Sequence, residues 1–255
     1  MDMLAPHEKE QILTTVNFFW SSKLSDPKFN KEMYKKAIGK EGGHQIADLV
    51  DQLTTEQIHV TYPSSSGYQC DNQNNKSTRS MGDIWFKNSF NEWHPINVKT
   101  GLMGSEGQPN IVSLKKIIFS LMEHSIDSYY LLIVKFEALH ATESVKHHIY
   151  FIDMFDWLGV KDDESVITYD DGPGQMMLKA KRFFELMSKN FIPEPITIQE
   201  KAQILIDMLE DGFKRLYNNR LRAHHNLKTM FDVFKNETIP FSINKEKQEK
   251  EFNIR

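Results

Sequence analysis

Apolar and polar positions recur along this chain with different periods, and each period predicts a different element. Over the first 55 residues apolar side chains return every three or four positions, the period of a helix with one buried face. Ile12, Val16, Phe19 and Trp20 form one such stripe, and Phe29, Met33, Tyr34 and Ala37 form a second after Asp26-Pro27. Ile46, Leu49, Val50 and Leu53 form a third, in a helix that begins after Gly42-Gly43. "QIHVTYP" then reads as a strand closed by Pro63. The next stretch, "SSSGYQCDNQNNKSTRS", has almost nothing to bury and predicts a long exposed loop.

From Met81 the period shortens to two. "MGDIWFKNSFNEWHPINVKTG" predicts two strands joined by a polar turn, the first opened by Asp83 and the second carrying Ile96-Asn97-Val98-Lys99. A loop with three glycines, "GLMGSEGQPN", comes next. Pro109 then predicts the first turn of a helix with Ile111, Leu114, Ile117, Ile118 and Leu121 inward. "YYLLIVKFEAL" and "HHIYFIDMF" are nearly continuous apolar runs, as expected of strands covered on both faces. "ESVITYDDGPGQMMLKAKRF" predicts a short strand, a Gly-Pro-Gly turn and then a strand or helix. From 198 to about 234 the helical period returns, with Leu205, Met208, Leu209, Phe213 and Leu216 on one stripe. The order predicts a mixed α/β fold: a central mixed sheet flanked by helices, with further helices at both ends. A single domain over 1–255 is expected, with N-terminal helices to 55, a core over 56–182 and C-terminal helices over 183–255.

Composition narrows the function classes. A net charge of −4 disfavours a non-specific polyanion binder. It leaves room for one basic face, and Lys179, Lys181 and Arg182, then Lys214, Arg215, Arg220 and Arg222, are local concentrations of positive charge. A single cysteine, Cys70, excludes an intramolecular disulfide and a cysteine-based zinc cluster. No apolar run reaches eighteen residues, and the start of the chain has no basic segment followed by an apolar one. A cytoplasmic protein without membrane insertion or organic cofactor is expected.

Candidate chemistry lies in the paired strands after Met81. Side chains alternate along a strand, so Ile96 and Val98 share one face while Asn97 and Lys99 share the other. Asp83 can supply a carboxylate to a magnesium ion, the Val98 carbonyl a backbone ligand, and Lys99 a cation beside an attacking water. Asn97 would be a neutral ligand, or a partner for water in the metal's shell. By spacing alone, an aspartate opening one strand and a lysine closing the next is equally a common end of a hairpin. The segment also resembles the active-site motif of the PD-(D/E)xK nuclease superfamily. "DIWFKNSFNEWHPINVKTGLMGSEGQPNIVSLKKI" is similar to the corresponding region of the HincII-like type II restriction endonucleases.

That resemblance covers roughly residues 40–180 and is specific between Asp83 and Ile117. It implies a restriction-endonuclease-like core, magnesium-dependent hydrolysis of double-stranded DNA at a short palindrome, and a homodimer. Carried onto this chain, it implies that Asp83 binds the metal and that Lys99 is catalytic. Asn97 departs from the family pattern, which has Asp or Glu there. Glu41 is the candidate further carboxylate; its plain alternative is an exposed residue before a helix. Gln108 and Asn110 carry amides suited to base edges, and the resemblance places DNA there; Asn110 could equally cap a helix. Lys179 and Lys181 share one face if extended and could then hold phosphates. The alternatives are a nuclease of DNA repair or methylated-DNA cleavage, and a DNA-binding member that has lost catalysis.

Overall fold

The computed structural model describes residues 4–39, 42–77, 80–102, 109–160 and 165–235. The chain divides into two compact units, Met1–Gly212 and Phe213–Arg255. The first unit is mixed α/β. Three helices come first: α1 (Pro6–Ser25), α2 (Pro27–Ile38) and α3 (Gly42–Thr61). After them come β1 (Ile84–Lys87), β2 (Trp93–Leu102), β3 (Asn110–Ser113), α4 (Leu114–Met122), β4 (Tyr130–Leu139) and β5 (Ser144–Asp153). A 3₁₀ turn at Met154–Trp157, β6 (Ile167–Asp170), β7 (Gln175–Leu178), α5 (Ala180–Ser188) and α6 (Ile198–Lys235) complete the order. The last helix runs past Gly212, so residues 213–235 belong to the second unit, where Tyr217, Leu221, Leu227, Met230 and Phe231 are exposed.

Strands β1-β2-β4-β5 form one sheet, and β3-β7-β6 form a second. Within the first sheet β2 and β4 run parallel while both outer pairs are antiparallel. The parallel pair needs a crossover, and β3 with α4 provides it. Strand β4 is central and sorts its side chains by parity. Leu131 and Ile133 enter a core with α4, α5 and the start of α6, whereas Tyr130, Leu132, Val134 and Phe136 enter another with α1, α2 and α3. The first unit is therefore a sheet with a helical layer on each face.

Several expectations change. "QIHVT" of the expected strand "QIHVTYP" is the end of α3, and Tyr62 and Pro63 follow it outside any strand. Ile46, Val50, Thr54 and Ile58 recur every four residues and are all fully buried, so the helical stripe outweighs the β-branched pair Val60-Thr61. Residues 110–113 are strand β3, and the helix starts only at Leu114; Pro109 precedes a strand, where its missing N–H costs nothing. The polar loop after Pro63 is not wholly exposed, for Ser65, Ser66 and Cys70 are buried. It covers the outer edge of β1: Ser66 N donates to Trp85 O at 2.8 Å, and Trp85 N returns a bond to Ser66 Oγ at 2.9 Å.

Candidate active site

The site begins with a break in the β1–β2 ladder. Ile84 pairs with Ile96, yet Asp83 N also donates to Ile96 O at 2.9 Å. Two residues of one strand thus face one of the other, the arrangement of a β-bulge, which redirects a side chain. Gly82 permits it: a Cβ there would lie 2.9 Å from the carbonyl oxygens of Ile84 and Ile96. Past the bulge, backbone pairing with β2 stops and the Asp83 side chain takes its place. Val98 N donates to Asp83 Oδ2 at 2.8 Å. In an extended strand the N–H and C=O of a residue face the same edge, so the Val98 carbonyl also looks into the gap beside Asp83.

Lys99, the next residue on β2, lies close enough that its charge opposes the rise of the Asp83 pKa, which burial causes. A third charged group arrives from α3, which packs across β2. Asp51 is pushed up to about 7, first by burial and then by the charge of Asp83, with Lys99 acting in the opposite sense. The structure therefore gathers Asp51, Asp83, the Val98 backbone and Lys99 at one fork in the sheet. Asp51 was not anticipated from the sequence. Its signal was there: it flanks the Ile46–Val50–Thr54 stripe, and Thr54 and Thr55 show that polar side chains reach the buried side of α3. Glu41 and Gln108, the sequence candidates for this role and for base contact, lie outside the described residues.

Asn97 is 6% exposed and is committed to the fold. Its Nδ2 donates to Ile111 O at 3.0 Å and to the Tyr129 hydroxyl at 3.1 Å. Tyr129 in turn donates to Met81 O, so its oxygen is the acceptor for Asn97. An ionised carboxylate cannot make either bond, so the fold here calls for an amide. Asn110 is exposed in β3, opposite Met177, and so does not cap a helix. Lys179 is the N-cap of α5 and Lys181 lies in its first turn. Two positions apart on a helix they are about 200° apart around the axis, so they do not share the face an extended segment would give them.

Among the described residues no group of three Asp, Glu, His or Cys side chains is placed to hold a metal ion. Magnesium does not require one, because it binds through one or two carboxylates plus water and substrate oxygens. Two facts fit such an ion here. Asp51 and Asp83 are half-buried carboxylates, and the charge of Asp83 raises the Asp51 pKa, the electrostatic condition a divalent cation relieves. In addition Asp51 Oδ1 is buried with no well-formed hydrogen bond among the described residues, although the Thr100 side chain lies close enough to lower the Asp51 pKa. Such an oxygen costs about 1–3 kcal/mol when left unsatisfied. The chain matches no protein-family model, and the search of curated proteins returns no significant match. No helix among the described residues is long and apolar enough to cross a membrane.

Proposed function

We propose that this protein is a magnesium-dependent endonuclease of the type II restriction kind, cutting double-stranded DNA at a short palindrome as a cytoplasmic homodimer. The meeting of Asp51, Asp83 and Lys99 at the β1–β2 fork carries this reading. Asp83, Asp51 and the Val98 carbonyl would hold magnesium, which when bound neutralises charge on the phosphate. Lys99 orients the water that attacks phosphorus in line with the departing O3′, and its ammonium offsets the negative charge that builds on the phosphoryl oxygens. Asn97 holds β2 to Ile111 and Tyr129, keeping Val98 and Lys99 in register with Asp83. A palindromic site matched by protein two-fold symmetry calls for two copies of the chain.

The test is incubation of the full chain with methylated and unmethylated plasmids, with and without magnesium, beside Lys99→Ala and Asp51→Asn. Discrete magnesium-dependent fragments are expected, with each variant slowed about a hundredfold or more. Cutting of methylated plasmid alone would move the reading to a methylated-DNA nuclease. Binding without cutting would make this a DNA-binding member that has lost catalysis. Neither cutting nor binding on any plasmid sinks the nuclease reading altogether.

A further inference from the structure

Beyond the fork, the same face of the sheet carries a second lysine that the catalytic arrangement does not use. Lys99 on β2 is paired with Ile133 on β4, and the next pair on that face is Gly101 with Lys135. Paired residues share a face, so Lys99 and Lys135 project to the same side. Their Cα atoms are about 8 Å apart by strand geometry, two residues along and one strand across.

Lys135 is an unusual cation. It is 6% exposed, and its Nζ lies 3.4 Å from the centroid of the Phe184 ring. Among the described residues it makes no hydrogen bond and no ion pair. Glu137, the nearest acid along the strand, is engaged by Lys146 at 2.9 Å and by His148 at 3.6 Å. Burying a lysine with only an aromatic face for company is costly, and an apolar residue would pack there at less expense. Gly101 is the second feature. A Cβ at Gly101 would enter the space beside the Phe184 ring, 3.7 Å from Cζ, and the Lys135 stem, 3.9 Å from Cγ. Without that carbon, no side chain of β2 stands between Lys99 and Lys135 on this face.

We propose that Lys135 binds a backbone phosphate of the DNA adjacent to the one attacked, so that Lys99 and Lys135 grip successive phosphates across Gly101. This assignment rests on the endonuclease reading. Lys135 is here a binding residue, and the Phe184 ring holds its ammonium before DNA arrives, so little side-chain freedom is lost on binding.

The experiment is filter retention of plasmid DNA over a salt series, with calcium replacing magnesium to prevent cutting. It uses the full chain, Lys135→Met, Lys135→Arg and Lys99→Ala. Methionine keeps the stem against Phe184 and removes the charge, so Lys135→Met should melt no lower than the parent protein. It should bind plasmid about tenfold more weakly or worse, with a salt dependence shallower by about one phosphate contact per copy of the chain, about two for the dimer. Lys135→Arg should recover most of the affinity. A Lys135→Met protein that binds as tightly as the parent, with the same salt slope, overturns the assignment. If Lys99→Ala still abolishes cutting in that case, the endonuclease reading stands alone. A parent chain that neither retains nor cuts plasmid overturns both.

Discussion

Asn97 shows how a polar side chain beside a candidate site can be a structural necessity. Its amide must donate twice, to a carbonyl and to a hydroxyl whose own proton is already given to Met81 O. Asn97→Asp would put a charge against the Ile111 carbonyl and leave the Tyr129 oxygen without its donor. We expect that substitution to destabilise the protein by roughly 2–4 kcal/mol, measured by denaturant unfolding. An Asp variant as stable as the parent would refute the donor requirement. Alternation along β2 makes it legible that Lys99 shares a face with Asn97, and Asp83 is singled out by the motif its segment resembles. Asp51 was not legible, because its partners Asp83 and Lys99 are 32 and 48 positions away and only the packing of α3 across β2 unites them.

At the scale of elements, the contest is between local propensity and the partner that an element packs against. Residues 57–61 carry β-branched side chains, yet Ile58 continues a buried four-residue repeat, so α3 persists to Thr61. Residues 110–113 share a helical spacing with residues 114–121, yet their backbone finds β7 and becomes a strand. Helix α6 shows the same tertiary control at Gly212. A Cβ there would fall 2.1 Å from Cε1 of Tyr169, so the absence of a side chain is what lets β6 and this helix approach. Gly212→Ala gains intrinsic helix propensity, worth about 1 kcal/mol, but must displace a ring. We expect net destabilisation of about 1–3 kcal/mol from overpacking, read as a lower melting temperature. A higher melting temperature would show that Tyr169 yields freely.

At the scale of the whole molecule, buried acids set how stability responds to pH. Asp153 ends β5, accepts Tyr129 N at 3.1 Å and Phe155 N at 3.0 Å, and leaves Oδ2 buried without a partner among the described residues. Burial, and then the charge of Asp156, push it up to about 7. An acid whose pKa is raised by folding favours the native state below its unfolded value of 3.8. That advantage is lost as pH rises through the window from about 4 to about 7, by up to roughly 4 kcal/mol. Asp51 is raised to about 7 as well and acts in the same direction. Asp153→Asn keeps the Oδ1 acceptor and removes the charge. Its melting temperature should therefore fall less steeply than the parent's between pH 5 and pH 7. An unchanged slope would mean that Asp153 does not titrate there.

By itself, the order of residues determined the mixed α/β class, the opening helices, the buried central strand and the shared face of Asn97 and Lys99. Each of these depends on periodicity within one short segment, and periodicity is a local property. Tertiary structure decided the rest: the bulge at Asp83, the arrival of Asp51, the fate of Asn97 and the setting of Lys135 between Gly101 and Phe184. Each of these depends on which distant backbone or side chain supplies a missing hydrogen bond or an opposing charge. That partner is chosen by how the helical layers close over the two faces of the sheet.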